Sequence, residues 1–285
     1  MLLRALIATC VLAAPLLGAV EDKATHRKTF AVSNPQAARV EVDNVFGSIR
    51  VTAGTGREVV VVANELVTAD TNEKLAEARQ EVKLDMAQKG DTVRLYVDGP
   101  FRCDCGDCCK DKQGRRNRGF DGYQVKYDFE IQAPTGSSLW LRTINDGEIK
   151  VNGIAGDYNV ENINGGIEFL EAGGSGRIYA LNGGVKVTFQ RNPRAASTFG
   201  SLNGEVELQF QPDLAADFRI KTFNGEVYTD FPVTSLPLQP ASFERRNGRS
   251  TQKGDRYTGI RVGAGGPEIK LDGFNGDMRI LKRAR

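Results

Sequence analysis

The sequence is poor in the residues on which most catalytic sites are built. Its 285 residues include one His, one Trp and five Cys. The single histidine, His26, stands just after an N-terminal apolar stretch. Triads with a His base and HExxH zinc helices are therefore excluded from the rest of the chain. No Gly-x-Ser-x-Gly elbow and no phosphate-binding P-loop occurs. Charge of one sign is also lacking. The net charge is +2, so no global field draws the chain to nucleic acid, and no nucleic-acid partner is expected. The one basic run, Arg115-Arg116-Asn117-Arg118, lies in a Gly-rich stretch and reads as a solvated loop. Beyond the N-terminus no apolar run is long enough to cross a bilayer, so no transmembrane segment is expected in the mature chain.

What is present begins with an export signal. Arg4 supplies a positive charge, Ala5 to Leu17 is apolar apart from Thr9 and Pro15, and Gly18-Ala19 precede Glu21-Asp22. This pattern predicts a signal peptide over 1–19, cleaved near Ala19. Residues 20–37 are expected to form a flexible segment, followed by one domain over 38–285. Export, to the periplasm, the cell surface or the medium, is the expected localisation.

The domain is built on a repeat. Asn, a Gly close behind it and alternating apolar positions recur at Asn145-Asp146-Gly147, Asn164-Gly165-Gly166, Asn182-Gly183-Gly184, Asn203-Gly204-Glu205, Asn224-Gly225-Glu226 and Asn275-Gly276-Asp277. The first apolar positions after the first five corners are Ile149, Ile167, Val185, Val206 and Val227, giving steps of 18, 18, 21 and 21. Weaker alternations at Tyr158-Asn159-Val160, Ile178-Tyr179-Ala180 and Phe218-Arg219-Ile220 fall between them. Each period thus holds two short strands and two turns. Side chains two apart share a face, so Ile149, Val151, Ile167 and Phe169 point one way and the intervening Glu and Lys the other. One such coil cannot bury its apolar face alone, and stacked coils share a core. The expected fold is all-β: a β-solenoid, parallel β-helix-like, of 18–21-residue coils. About five coils at ~4.8 Å would give ~25 Å of rod. A meander of Asn-Gly hairpins is the competing arrangement. Corner Asn and Gly are expected to supply positive φ, and Asn145, Asn164, Asn182, Asn203, Asn224 and Asn275 to form a hydrogen-bonded turn ladder.

The flanks fit the same scheme. Asn44 to Val51 echoes the repeat, and Asn72 to Arg79 is the one helix candidate, read as a short cap on the open end. Trp140, between Leu139 and Leu141, reads as core or edge packing with a ligand-stacking role as the alternative. Pro232 to Tyr257 reads as an interruption before a last coil that starts near Gly259.

The segment 98–122 carries Cys103, Cys105, Cys108 and Cys109. With Cys10 removed in the signal peptide, the cysteine count of the exported chain is even, which points to two disulfides, whose pairing stays open. Four thiolates are also a metal set for zinc or copper(I), and redox exchange is a third use. Asp146, Asp157, Asp272 and Asp277 are carboxylates by type for glycoside hydrolysis, yet each reads as a turn residue beside glycine.

The run from Gln132-Ala133-Pro134 through Leu139, Thr143 and Asn145-Asp146-Gly147 into the Asn-Gly phrases resembles the bacterial DUF4097 adhesin-like family over about residues 38–231. That resemblance implies a β-solenoid of envelope and surface proteins, with no catalytic residues to carry over; the Cys-rich loop departs from its pattern. The expected function is a non-catalytic envelope or surface protein, an adhesin-like binding or scaffolding rod, with no cofactor and with an envelope protein or glycan as partner. The alternatives are a carbohydrate-active β-helix enzyme and a periplasmic metal or redox protein using the cysteines.

Overall fold

A computed structural model of the chain describes residues 19–102, 122–237, 242–246, 249–253 and 257–283. The protein is all-β with one short helix among the described residues, arranged in two large mixed sheets that do not close into a barrel. In chain order, the first part comprises β1 (Val20–Ala31), β2 (Arg39–Asp43), β3 (Ile49–Gly54), β4 (Glu58–Ala69), α1 (Asn72–Glu81), β5 (Lys83–Lys89) and β6 (Thr92–Asp98). The middle comprises β7 (Tyr123–Pro134), β8 (Ser138–Thr143), β9 (Ile149–Asn152), β10 (Tyr158–Asn164), β11 (Ile167–Ala172), β12 (Gly176–Asn182), β13 (Val185–Phe189), β14 (Ser197–Asn203) and β15 (Val206–Phe210). The last part comprises β16 (Ala216–Lys221), β17 (Val227–Thr229), β18 (Val233–Leu236), β19 (Ser242–Arg246), β20 (Arg249–Lys253), β21 (Thr258–Val262), β22 (Glu268–Asn275) and β23 (Met278–Lys282).

From β8 to β15 the chain alternates between the sheets, even-numbered strands in the eleven-stranded sheet and odd-numbered strands in the ten-stranded one. Each strand from β8 to β13 pairs in parallel with the strand two places on, as Ile167 with Val185 and Val160 with Ile178. Parallel pairing rules out the hairpin meander, because a two-residue turn joins only antiparallel neighbours. One strand and the next, taken together, make a rung. Apolar side chains from both sheets meet in one core. Aromatic contacts bridge the sheets at Tyr158–Phe169, Phe189–Phe199 and Phe210–Phe218, with centroids 5.0, 5.8 and 5.8 Å apart. Each fully buried Phe contributes roughly 1.5–3 kcal/mol.

The order of rungs in space departs from the order in sequence at both ends. The β2–β3 rung lies between β6–β7 and β8–β9. The β22–β23 rung lies between β14–β15 and β16–β17. The step of 21 from Val206 to Val227 therefore does not join neighbours: Met278 stands between them. Nor does Gly259 begin the last rung. It belongs to β21, which runs antiparallel on β16 and, with β18, extends that sheet's edge, while β19 and β20 form a separate hairpin inside the region read as a loop.

Residues 20–37 also differ from the expected flexible segment. Strand β1 pairs with β4 along its whole length, from Val20 with Ala69 to Ala31 with Glu58. Its charged residues hid the strand, but charge suits an edge, where it blocks further pairing. His26 is thereby held against Glu65, with Nε2 2.6 Å from the carboxylate. Helix α1 starts at Thr71, whose hydroxyl accepts from the Lys74 amide, and it packs against β1, β4 and β7.

The corner Asn44–Ser48 is fastened to β7 by Asp128, which accepts from the amide and hydroxyl of Ser48 at 2.8 and 2.6 Å. Burial pushes this carboxyl upward, but the Ser48 bonds and the Lys126 ammonium outweigh it, so it titrates below the ordinary range. A carboxylate depressed by folding stabilises fully above its unfolded pKa and loses that contribution as pH falls through the folded one. Ser48→Ala should cost about 1–2 kcal/mol at neutral pH and lose less stability on acidification than the parent, as read by denaturant unfolding at both pH values.

Candidate binding surface

The repeated corner is built from stacked positions. The outermost is the asparagine row: Asn164 donates to Asn145 at 2.7 Å, Asn182 to Asn164 at 2.9 Å, Asn203 to Asn182 at 2.8 Å, Asn275 to Asn203 at 2.7 Å and Asn224 to Asn275 at 2.9 Å. All six asparagines singled out from the sequence are thus brought together, with Asn275 between Asn203 and Asn224. None of them has positive φ; among non-glycine described residues only Asp146 and Glu171 do. Corner Asn is there for its side-chain amide rather than for its backbone.

The glycine that follows has a different cause. A Cβ on Gly147 would meet the Gly47 carbonyl oxygen at 2.2 Å, one on Gly165 the Gly147 oxygen at 2.1 Å, and one on Gly204 the Gly183 oxygen at 2.3 Å. The same holds for Gly183 on Gly165, Gly276 on Gly204 and Gly225 on Gly276. Inside this column lies a buried polar row that the sequence reading missed. Thr143 donates to the Gly47 carbonyl at 2.8 Å, Asn162 to Gly147 at 3.0 Å and Ser201 to Gly183 at 2.7 Å. Its signal was a small or polar residue two places before each corner Asn.

The two outer faces differ. On the ten-stranded sheet Lys150, Glu168, Lys186, Glu207 and Arg279 stand in register and alternate in sign. Ion pairs link Lys150 to Glu168 at 3.9 Å and Lys186 to Glu207 at 3.4 Å. Each exposed pair contributes only ~0.2–1 kcal/mol, so the row fixes register more than it adds stability. A depression of about 350 Å³ lies there over Gly166 and Gly184, edged by Glu148 and Glu205.

On the eleven-stranded sheet Trp140 faces outward. Leu139 and Leu141 point into the core instead, which corrects the reading of Trp140 as core packing. Glu41 and Asn159 flank the indole in register. Concavities of about 160 and 500 Å³ lie beside it, and Trp140 and Arg39 line both.

The carboxylates considered for hydrolysis are not brought together. Asp146 sits at the β8–β9 corner and Asp157 at the β9–β10 turn, where it accepts from the Ser175 amide. Asp272 lies within strand β22 rather than in a turn, and Asp277 accepts from the Glu226 amide at the β22–β23 corner. Cys103, Cys105, Cys108 and Cys109 lie outside the described residues, as does the predicted signal up to residue 18. Among the described residues no helix is long and apolar enough to cross a membrane.

The asparagine row has a measurable signature. Asn182 makes two amide bonds and the terminal Asn224 one, so Asn182→Ala should cost about 1–2 kcal/mol and Asn224→Ala about half as much, by urea unfolding. Equal costs would contradict a continuous row.

No family model matches the chain, and no curated protein matches it. Among solved structures, a "putative cell adhesion protein" from Clostridium sporogenes is 11% identical, with 91% of this chain and 100% of that one covered, at a TM-score of 0.40. A "putative adhesin" from Bacteroides fragilis is 12% identical, with 91% and 97% covered, at 0.32. A "putative lipid binding protein" from Parabacteroides distasonis is 12% identical, with 91% and 97% covered, at 0.23.

Proposed function

We propose that the protein is an exported, non-catalytic envelope or surface protein that works as an adhesin-like binding or scaffolding rod, with its rungs wound as a β-solenoid. The observation that carries this reading is the unbroken parallel register from the β6–β7 rung to the β16–β17 rung. Stacking of this kind spends the apolar residues on one shared core and leaves long outer faces available for contact. Those faces are polar and cross-paired, as suits a surface that stays in water until a partner arrives. The separation of Asp146, Asp157, Asp272 and Asp277 favours binding over glycoside hydrolysis, which needs two carboxylates across one bond. The resemblance of the Asn-Gly phrases to the DUF4097 adhesin-like family supports the same assignment, and the apolar stretch before Glu21 supports export.

The test is fractionation of cells making a C-terminally tagged chain, followed by incubation of the purified chain with intact envelopes. The expected result is recovery outside the cytoplasm with an N-terminus near residue 20, and saturable retention on envelopes. Recovery of the unprocessed chain in the cytoplasm, or turnover of an envelope polysaccharide by the purified protein, would overturn the proposal.

A further inference from the structure

The outer face of the eleven-stranded sheet carries groups that the stacking of rungs does not require. In the register row through Trp140 the neighbours are Glu41 on one side and Asn159, Arg177 and Thr198 on the other. The indole is the only aromatic group in that run. It is partly exposed, and with Arg39 it lines both concavities, of about 160 and 500 Å³. Tyr96 and Tyr179 also face outward on this sheet, each under an arginine, whereas the indole is the larger ring and lies beside the concavities.

The polar groups around the ring are of both kinds. Arg39 points its guanidinium toward Glu41, with Nε 2.7 Å from the carboxylate. Asp157 and Ser175 line the larger concavity, and Ser175 Oγ accepts from the Ala195 amide at 3.1 Å. Asn159 lines it as well, so its side-chain amide stands beside the indole, one strand over.

These features select a ligand class. An anion would meet Glu41, Asp43 and Asp157; a cation would meet Arg39 and Arg94. A neutral ring with an apolar C–H face and a hydroxylated rim meets neither penalty. Its face covers the indole, and its hydroxyls exchange hydrogen bonds with the Asn159 side-chain amide, Arg39 and Asp157, which line the larger concavity. Two concavities that share the same ring suit several linked sugar units better than a single one.

The geometry points to a glycan-binding site on this face: a neutral pyranose oligosaccharide stacks on Trp140 and is hydrogen-bonded by Asn159, Asp157 and Arg39. This deepens the binding-rod reading, on which its biological meaning rests, by naming the ligand class.

Trp140 is the only tryptophan in the chain, so intrinsic indole fluorescence reports on this site alone. The full chain is titrated with the neutral oligosaccharides cellohexaose, xylohexaose, mannohexaose and chitohexaose. The expected result is a saturable shift or quench of indole emission by at least one of them. Calorimetry with that sugar should show binding weakened about tenfold or more in Trp140→Ala and about fivefold in Asn159→Ala, with Trp140→Phe between the parent and the alanine variant. Circular dichroism confirms that the variants fold. Asn159→Ala leaves the indole in place and keeps the test open if Trp140→Ala does not fold. The proposal is overturned if no probe changes the emission, or if binding survives unchanged in Trp140→Ala or Asn159→Ala. The two readings separate cleanly. No sugar response, with envelope retention equal for parent and Trp140→Ala, removes the glycan site and keeps the binding rod. A sugar-dependent indole response without envelope retention keeps the site and removes the adhesive role.

Discussion

At one corner of the structure the backbones of successive rungs come so close that no side-chain carbon fits between them. Gly47, Gly147, Gly165, Gly183, Gly204, Gly276 and Gly225 form that column, and for each after the first an added Cβ would lie 2.0–2.3 Å from the carbonyl oxygen of the glycine beside it. Real Cβ atoms do not approach so closely, so each of these rungs must present a glycine at this place or move away from its neighbour; the β6–β7 rung at the end of the column has Tyr127 there, whose carbonyl faces Gly47. The register of both sheets depends on this approach. It sets which residue of one strand lies beside which residue of the next, and a slip of one position would turn each core side chain outward.

The groups around the column exploit the same closeness. Carbonyls of Gly47, Gly147 and Gly183 receive donors from Thr143, Asn162 and Ser201 of the adjacent rung, which satisfies polar groups that would otherwise be buried unpaired. Outside it, the asparagine amides bond one another along the stack. With the corner fixed, Ile149, Ile167, Val185, Val206 and Met278 fall in one core row, and Lys150, Glu168, Lys186, Glu207 and Arg279 in one outer row. The same register places Trp140 between Glu41 and Asn159 on the opposite face. The proposed ligand surface is therefore a by-product of the corner: residues distant in sequence are held side by side by backbone stacking rather than by contacts of their own.

Much of this was legible in the sequence because it is periodic. The spacing of Ile149, Ile167 and Val185 marks adjacent parallel strands, and the Asn-Gly phrase marks their corner. What was not legible has three physical causes. Strand β1 is charged along its length, since an edge needs no apolar face toward a neighbour, and so it lacked the alternation that reveals a strand. The place of β22–β23 between two earlier rungs is long-range topology, and periodicity says that Met278 belongs to the core row without saying between which strands. The corner glycines meet two demands that the dipeptide does not distinguish: Gly47, Gly183 and Gly276 do carry positive φ, and the positions of neighbouring backbones require glycine at Gly147, Gly165, Gly204 and Gly225 as well. For Trp140 the cue was present and was outweighed: strict alternation with Leu139 and Leu141 puts the indole on the opposite face from both.

Adjacent glycines of one corner test the account most directly. A Cβ on Gly165 would meet the Gly147 oxygen at 2.1 Å, whereas a Cβ on Gly166 meets nothing closer than the Gly184 oxygen at 3.4 Å. The measurement is the unfolding free energy of Gly165→Ala and Gly166→Ala by chemical denaturation. If close backbone approach governs the stack, Gly165→Ala loses at least ~3 kcal/mol or fails to fold, while Gly166→Ala stays within ~1 kcal/mol of the parent. Equal effects of the two substitutions, or a Gly165→Ala protein as stable as the parent, would contradict it.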